Sequence, residues 1–159
     1  MEMTDRPGPP TGLARVLWRL PILLYRCGLG RLLGHRVMLL THIGRSSGQP
    51  RHAVLEVVEH DRSGYIAASG FGARADWYRN VIAEPDVTIQ IAARKLNVTA
   101  APLSAKQGGE VMARYAGERP AAARRLCGLM GFRVDGGVED YREVGEQVPF
   151  VRFTIRGEG

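Results

Sequence analysis

The chain has little of what metal sites and disulfide frameworks require. Its 159 residues include only two cysteines, Cys27 and Cys127, which lie far apart and form no CxxC pair. The histidines are equally dispersed, at His35, His42, His52 and His60. No Cys/His spacing typical of zinc ligands and no HExxH element occurs, so we predict no metal site. Both cysteines are expected to be buried, reduced thiols of a cytoplasmic protein.

Long apolar runs are missing as well. The run at residues 21–25 is too short to span a bilayer and lacks the small-residue cleavage site of a secretory signal. Aromatic residues make up 7% of the chain and are not interleaved with the arginines, so nucleic acid is not expected as a partner. Apolar residues nevertheless make up 45%, which is typical of one globular domain with a real core.

Acidic residues are absent from one long stretch. Residues 11–51 hold seven arginines and no Asp or Glu, within a chain of net charge +6. A block of this kind favours an anionic partner, such as an anionic lipid surface or an anionic cofactor.

The first 33 residues divide into two segments. Residues 1–10 are rich in proline and glycine and are expected to form a disordered tail. Residues 11–33 carry leucines and arginines at helical spacing, and Pro21 kinks or divides this basic amphipathic helix. The helix either packs over the rest of the domain or lies on the anionic inner face of a membrane.

The middle of the chain alternates apolar and polar residues, as half-buried strands do. Strands are predicted at residues 37–42, 53–59, 65–69, 87–91 and 95–102, with a last one at 149–155.

Three helices are indicated by their first residues. One begins near Asp76, which is expected as its N-cap. Ser104 and Gln107 have the spacing of a capping box and begin the second. Pro120 begins the third at a first-turn position. The residues of this third helix that are expected in the core are Leu126, Leu129 and Met130, beside Cys127.

The residues between the first two strands have the character of an anion-binding loop. They read Gly-Arg-Ser-Ser-Gly-Gln-Pro-Arg from position 44 to position 51. Two glycines allow a sharp turn, and two serine hydroxyls can donate to anionic oxygens. Arg45 and Arg51 can each fork onto a phosphate or carboxylate, and no acid in the loop opposes them. The loop is either a clamp for a small phosphorylated, acidic ligand or a solvated turn with surface arginines.

A second motif follows the strand at 65–69. Residues 75–80 read Ala-Asp-Trp-Tyr-Arg-Asn, and Glu-Pro-Asp-Val follows at 84–87. The loop has the pattern G-R-x-S-G-x-x-R and the second motif has the pattern W-Y-x-N. In this order and spacing, the two motifs resemble the deazaflavin-dependent nitroreductase family, whose members use coenzyme F-420. The resemblance implies an α+β fold over residues 11–159: a split β-barrel of the FMN-binding, pyridoxamine-phosphate-oxidase-like type, with an N-terminal helix and helices between later strands.

The resemblance also implies roles. A hydride passes between C5 of the deazaflavin and a quinone, enone, nitroaromatic or lipid-like substrate, while the protein binds and orients the cofactor. The residues that resemble the family's cofactor contacts are Arg45, Ser46, Ser47, Gly48 and Arg51 for the phosphate and oligoglutamate tail, Ser69 and Gly70 for the ring, and Trp77 and Asn80 for the cofactor wall. Arg74, between these motifs, either contacts the tail or faces solvent. Tyr141 resembles a proton-donating tyrosine of the substrate pocket, although the family's tyrosine-rich run is reduced here to this one residue.

Two other functions fit the same residues. One is an FMN-binding split-barrel oxidoreductase, but FMN has one phosphate and leaves a second arginine less to bind. The other is a non-catalytic protein that holds a fatty acid or the cofactor itself. In each case we expect a monomer or a homodimer.

Overall fold

Six antiparallel strands close into a barrel in the computed structural model of the chain, which describes residues 2–3, 36–70, 72–135 and 137–157. The described strands are β1 (Glu2–Met3), β2 (Val37–Ile43), β3 (Pro50–Asp61), β4 (Gly64–Ala68), β5 (Asp86–Ile91), β6 (Arg94–Pro102), β7 (Phe132–Arg133) and β8 (Phe150–Ile155). The barrel order is β2-β3-β4-β8-β6-β5, and a ladder between β2 and β5 closes it. The short strands β1 and β7 pair with each other outside the barrel.

Helices interrupt this strand order in two places. The described α-helices are α1 (Asp76–Ala83), α2 (Ala105–Glu118), α3 (Pro120–Leu129) and α4 (Val138–Gln147). Helix α1 lies between β4 and β5 in the chain, and the other three lie between β6 and β8. The expected barrel with helices between later strands is therefore observed. None of the described helices is long and apolar enough to cross a membrane.

The barrel interior is one apolar cluster. Met38, Ile89 and Phe153 are fully buried in it. The alternation in β5 decides which side chains enter, because Ile89 faces inward while its neighbours Thr88 and Gln90 are only half-buried. Burying a large apolar side chain stabilises the fold by about 1.5–3 kcal/mol.

A second apolar cluster lies between the helices and the outer face of the barrel. Val58 and Ile66 contribute the barrel side, while Met112 and Val144 contribute the helix side. The inward and outward faces of β3 and β4 thus serve two separate cores.

Several local predictions are confirmed. The Ser104 hydroxyl accepts the N–H of Gln107 at 3.2 Å, and the Gln107 side chain accepts the N–H of Ser104 at 2.9 Å, which completes the capping box of α2. Pro120 stands at the beginning of α3. Cys127 is a buried free thiol, and burial raises its pKa to about 11.

Two local expectations are wrong. Asp76 is the first residue of α1 rather than its N-cap; Ala75 occupies the N-cap position, without a side-chain hydrogen bond. The Asp76 carboxylate instead pairs with Arg45. Leu129 is 55% exposed rather than in the core, at the last position of α3.

The sequence patterns also give no indication of α4. This helix buries only one narrow side, at Tyr141, Val144 and Gly145, so its apolar periodicity is weak. The predicted tail at 1–10 beyond β1, the predicted helix at 11–33 and Cys27 lie outside the described residues.

Candidate functional site

The predicted anion-binding loop covers the connection between β2 and β3, residues 44–49, and the first two residues of β3, Pro50 and Arg51. The N–H of Gly44 donates to the Gln49 carbonyl at 2.9 Å, and the N–H of Gly48 donates to the Gly44 carbonyl at 2.8 Å. Gly48 adopts φ +68°, which favours glycine. The Gln49 N–H donates to the Ser47 hydroxyl oxygen at 3.2 Å. The 44–51 loop is therefore a tight, defined turn whose residues from position 45 onward are exposed.

Helix α1 anchors this loop at Arg45. The backbone N–H of Arg45 donates to Oδ1 of Asn80 at 3.1 Å, and its Nη1 donates to the same oxygen at 2.8 Å. Its Nη2 donates to Oδ1 of Asp76 at 3.3 Å. The Asp76 side chain is 83% exposed, so this ion pair contributes little. Asn80 is 3% exposed, and its two bonds to Arg45 are the firm part of the anchor. The loop contains no acid, but the fold brings one to it.

The other end of the Asn80 amide contacts His42. Nδ2 of Asn80 lies 2.9 Å from Nδ1 of His42, which is itself 3% exposed. Burial lowers the pKa of His42 to about 4, because desolvation disfavours the imidazolium. His52 lowers this pKa further, Asp76 raises it and Arg51 lowers it. His42 is therefore neutral near pH 7.

Arg51 and the tip of the loop carry donors for which the described residues show no protein acceptor. Arg51 is exposed, stands opposite His42 in the β2–β3 ladder, and places its Nε 3.7 Å from where a Cβ of Gly44 would lie. Within the described part of the chain, the N–H groups of Ser46 and Ser47 donate to no protein acceptor. Two amides on the turn and the guanidinium of Arg51, at the start of β3, form a patch suited to a phosphate or carboxylate.

The next predicted residues, Ser69 and Gly70, directly follow β4. Ser69 is fully buried; its hydroxyl donates to the Gly72 carbonyl at 2.6 Å and its N–H donates to the Pro149 carbonyl at 2.8 Å. A 3-10 turn that ends at the exposed Arg74 leads from here into α1. The residues at the end of β4 are therefore followed closely in the chain by α1, the helix that anchors the loop.

The predicted aromatic residues lie in different apolar clusters. Trp77 is 9% exposed and belongs to the barrel core, with its ring centroid 6.3 Å from that of Phe153. Tyr141 is 5% exposed and belongs to the cluster under the helices. The structure thus brings Arg45 and Asn80 into contact but does not bring Tyr141 to them. The roles of Trp77 and Tyr141 toward a cofactor stay predictions.

The motifs omit His42, although the sequence carries a signal for it. Met38 and Leu40 face the barrel interior, and His42 continues their alternation along β2. A polar residue on the apolar face of a strand is normally held there by a hydrogen bond. Asp76 offers no such signal, because its contact with Arg45 depends on how α1 packs against β2.

Comparison with known sequences identifies relatives that use a deazaflavin. Residues 25–127 match the family described as F-420H(2)-dependent quinone reductase. A protein of Mycobacterium tuberculosis described by the same words is 35% identical in an alignment of 95 residues that covers 55% of this chain and 63% of that protein. This chain thus spans 63% of the length of that relative.

Two solved structures share the fold. The F-420-H2 dependent reductase FDR-A is 22% identical, with a TM-score of 0.52 over 76% of this chain and 95% of that one. HutZ, a heme storage protein of Vibrio cholerae, is 13% identical, with a TM-score of 0.55 over 84% of this chain and 90% of that one. At these identities the likeness shows the fold alone, a split β-barrel as predicted. Because the two proteins are described with different ligands, the barrel by itself does not select one.

The sequence match assigns a family, which the fold alone does not. It covers the 44–51 loop, Ser69 and Gly70, and all of α1. The resemblance to deazaflavin-dependent proteins is therefore confirmed at the level of the family, and the chain belongs to the family described as F-420H(2)-dependent quinone reductase.

Proposed function

We propose that this chain is a reductase that binds coenzyme F-420 and reduces a quinone or a similar electrophilic small molecule. One observation carries the proposal: the segment that matches the family contains both the donor-rich 44–51 loop and the helix that anchors it. When bound, the reduced deazaflavin supplies a hydride, so the chain needs no catalytic triad of its own.

The donors of the loop fit an anionic cofactor. Ser46 and Ser47 offer backbone N–H groups and hydroxyls, Gly48 permits close approach, and Arg51 offers a whole guanidinium. Arg45 keeps the N–H groups that its contacts to α1 do not use. These residues are proposed to hold the phosphate and the acidic tail, which also suit the net charge of +6.

The end of β4 is proposed to meet the ring. The Ser69 hydroxyl already donates to the Gly72 carbonyl, so Ser69 and Gly70 would offer backbone rather than a hydroxyl donor. Trp77 and Asn80 would support this wall from behind, since both are buried. The exposed Arg74 would contact the tail or solvent.

Tyr141 is proposed as the proton donor on the family resemblance alone. It is 5% exposed in the cluster under the helices, so its hydroxyl would serve only a substrate that reaches between the barrel and α4. Tyr141→Phe keeps the ring packing and removes the hydroxyl. We expect slower turnover with unchanged coenzyme affinity, because general-acid catalysis affects the chemical step alone. Unchanged turnover would leave solvent as the proton source.

Titration against oxidised coenzyme F-420 and FMN, side by side, tests the cofactor. We expect a dissociation constant for the deazaflavin of about a micromolar or lower, and FMN binding weaker by at least about tenfold, or about 1.4 kcal/mol. Equal or tighter binding of FMN would replace the proposal with the FMN-dependent alternative.

A second measurement separates an enzyme from a carrier. Reduced coenzyme F-420 is mixed with a soluble quinone, and recovery of the deazaflavin absorbance is followed. Recovery that depends on the protein supports the reductase, whereas tight binding without turnover supports a non-catalytic holder of the cofactor or of a fatty acid. A monomeric or homodimeric state and a cytoplasmic location, with or without membrane contact through residues 11–33, remain predictions.

A further inference from the structure

The Asn80 side chain is the junction of a directed hydrogen-bond chain. Its Oδ1 lies 3.1 Å from the backbone nitrogen and 2.8 Å from Nη1 of Arg45. Its Nδ2 lies 2.9 Å from Nδ1 of His42. Asn80 and His42 are each 3% exposed, and buried polar groups of this kind are normally held by hydrogen bonds within the fold.

The chemistry of Arg45 decides the direction of the chain. A backbone N–H and a guanidinium can only donate, so the Asn80 atom that faces both must be its carbonyl oxygen. The amide nitrogen then faces His42 and donates. Nδ1 of His42 must therefore be the unprotonated acceptor, and its proton must sit on Nε2.

We propose that His42 is a positioning residue for the anion-binding loop: its unprotonated Nδ1 orients the Asn80 amide, and that amide holds Arg45 so that the 44–51 loop presents its donors to the coenzyme's anionic tail. The inference rests on the proposed function for the nature of the ligand. The orientation of Asn80 follows from the contacts alone.

Protonation at Nδ1 would reverse this arrangement. Two donors would then face each other across 2.9 Å, and the Asn80 amide would have to turn its oxygen toward His42. Both N–H groups of Arg45 would lose their acceptor. Burial and the neighbouring His52 and Arg51 oppose this protonation and lower the pKa of His42 to about 4, with Asp76 acting in the opposite sense.

Three variants test the role of His42. His42→Asn keeps an oxygen acceptor near the place of Nδ1, whereas His42→Leu removes it. His52→Leu is the matched control, since His52 belongs to the same hairpin but its Nδ1 contacts Thr41 Oγ1 at 3.1 Å instead. Affinity is measured for whole coenzyme F-420 and for the deazaflavin ring fragment without phosphate and tail.

We expect His42→Leu to weaken binding of the whole coenzyme by about tenfold, because a buried donor loses its acceptor and the loop loses its anchor. Binding of the ring fragment should be unchanged, and His42→Asn and His52→Leu should stay close to the wild type. Equal losses in His42→Asn and His42→Leu, or equal losses for both ligands, would overturn the proposal.

Two measurements on the protein without coenzyme keep the inference separate from the proposed function. Long-range 1H–15N NMR of the wild type should show the His42 proton on Nε2; a proton on Nδ1 would overturn the inference. Amide exchange at Arg45 should be faster in His42→Leu than in His42→Asn, and equal rates would contradict it. If the wild type binds no coenzyme F-420, the proposed function fails, while these two measurements still decide whether His42 sets the loop.

Discussion

Two of the polar networks on this barrel end differently. In the loop network, His42, Asn80 and Arg45 form a chain that leads out to the exposed 44–51 loop, where the N–H groups of Ser46 and Ser47 have no acceptor among the described residues. On the outer face of β3, Glu56 accepts the Tyr115 hydroxyl at 3.0 Å and Nη2 of Arg125 at 3.1 Å. This second network, the helix network, ends on protein groups. Of the two, the loop network alone leaves donors without an acceptor among the described residues, and we propose that a ligand binds there.

The second network attaches the helices to the barrel. Arg114 on α2 donates to both carboxylate oxygens of Glu59, at 2.7 and 3.2 Å, and this contact raises the pKa of Arg114. Together with Glu56, Glu59 ties β3 to α2 and α3. We therefore interpret this network as architectural, in contrast to the loop network.

The two regions also differ in packing. The loop network adjoins a barrel core filled with large side chains such as Met38, Ile89 and Phe153. In contrast, α2 and α4 approach each other through Gly108, Gly109 and Gly145.

The largest effect is expected where α2 and α4 are in backbone contact. A Cβ at Gly145 would lie 2.4 Å from the Gly108 carbonyl oxygen and 2.8 Å from the Cα of Gly109. Neither atom can move without its helix. We expect Gly145→Ala to lower the free energy of unfolding by about 3 kcal/mol, measured in urea, while the folded protein keeps its coenzyme affinity.

The control for this change is Gly128→Ala on α3. A Cβ at Gly128 meets nothing within 4 Å. The free energy of unfolding of Gly128→Ala should equal that of the wild type or exceed it by up to about 1 kcal/mol, because alanine is the better helix former. Equal effects of Gly145→Ala and Gly128→Ala would show that close helix contact does not distinguish this region.

Acid should weaken the loop network next. His42 has a pKa of about 4 in the fold against an ordinary 6.5, so the unfolded chain takes up this proton first. The contribution of neutral His42 is complete above pH 6.5 and is lost as the pH falls toward 4, by at most about 3 kcal/mol. Urea unfolding between pH 4 and 6.5 should show the free energy of unfolding falling with pH, and His42→Asn should reduce this dependence. If the dependence is unchanged in the variant, other groups cause it.

Removing one arginine near each network should show that only the loop arginine affects coenzyme affinity. Arg51→Ala is expected to weaken binding of coenzyme F-420 by about tenfold, since a charge-assisted contact is lost, with little change for the ring fragment. Arg125→Ala removes the same charge at Glu56 and should leave affinity unchanged. If both variants bind equally weakly, net charge attracts the coenzyme and the loop has no special part.

The smallest effect is expected on stability at alkaline pH, through Tyr115 in the helix network around Glu56. Burial, with the Glu56 carboxylate beside it, raises the pKa of Tyr115 from 10.0 to about 12. The folded state keeps the Tyr115 proton to higher pH than the unfolded chain does. The stability that this group contributes is therefore fully present below pH 10 and is lost as the pH rises toward 12. Tyr115→Phe should cost about 1 kcal/mol near neutral pH and reduce the alkaline slope. Any change in coenzyme affinity would contradict the separation of the two networks.

The strands, the capping box of α2 and the 44–51 loop were predictable because their signals are local. Side chains alternate along β5 regardless of which strand pairs with it, so Ile89 could be assigned to the core from its neighbours. The capping box of Ser104 and Gln107 closes within three residues. The 44–51 loop likewise contains its own glycines, serines and arginines in one short motif.

Local signals were thus enough to predict the strands, the cap of α2 and the chemistry available in the loop, because each depends on residues close together in the chain. Three features follow only from the packed fold: Asn80 holds Arg45, 35 positions away, Asp76 pairs with Arg45 instead of capping α1, and Leu129 faces solvent. Such contacts depend on how α1 and the later helices pack on the barrel, and packing is a property of surfaces that meet only after the chain has folded.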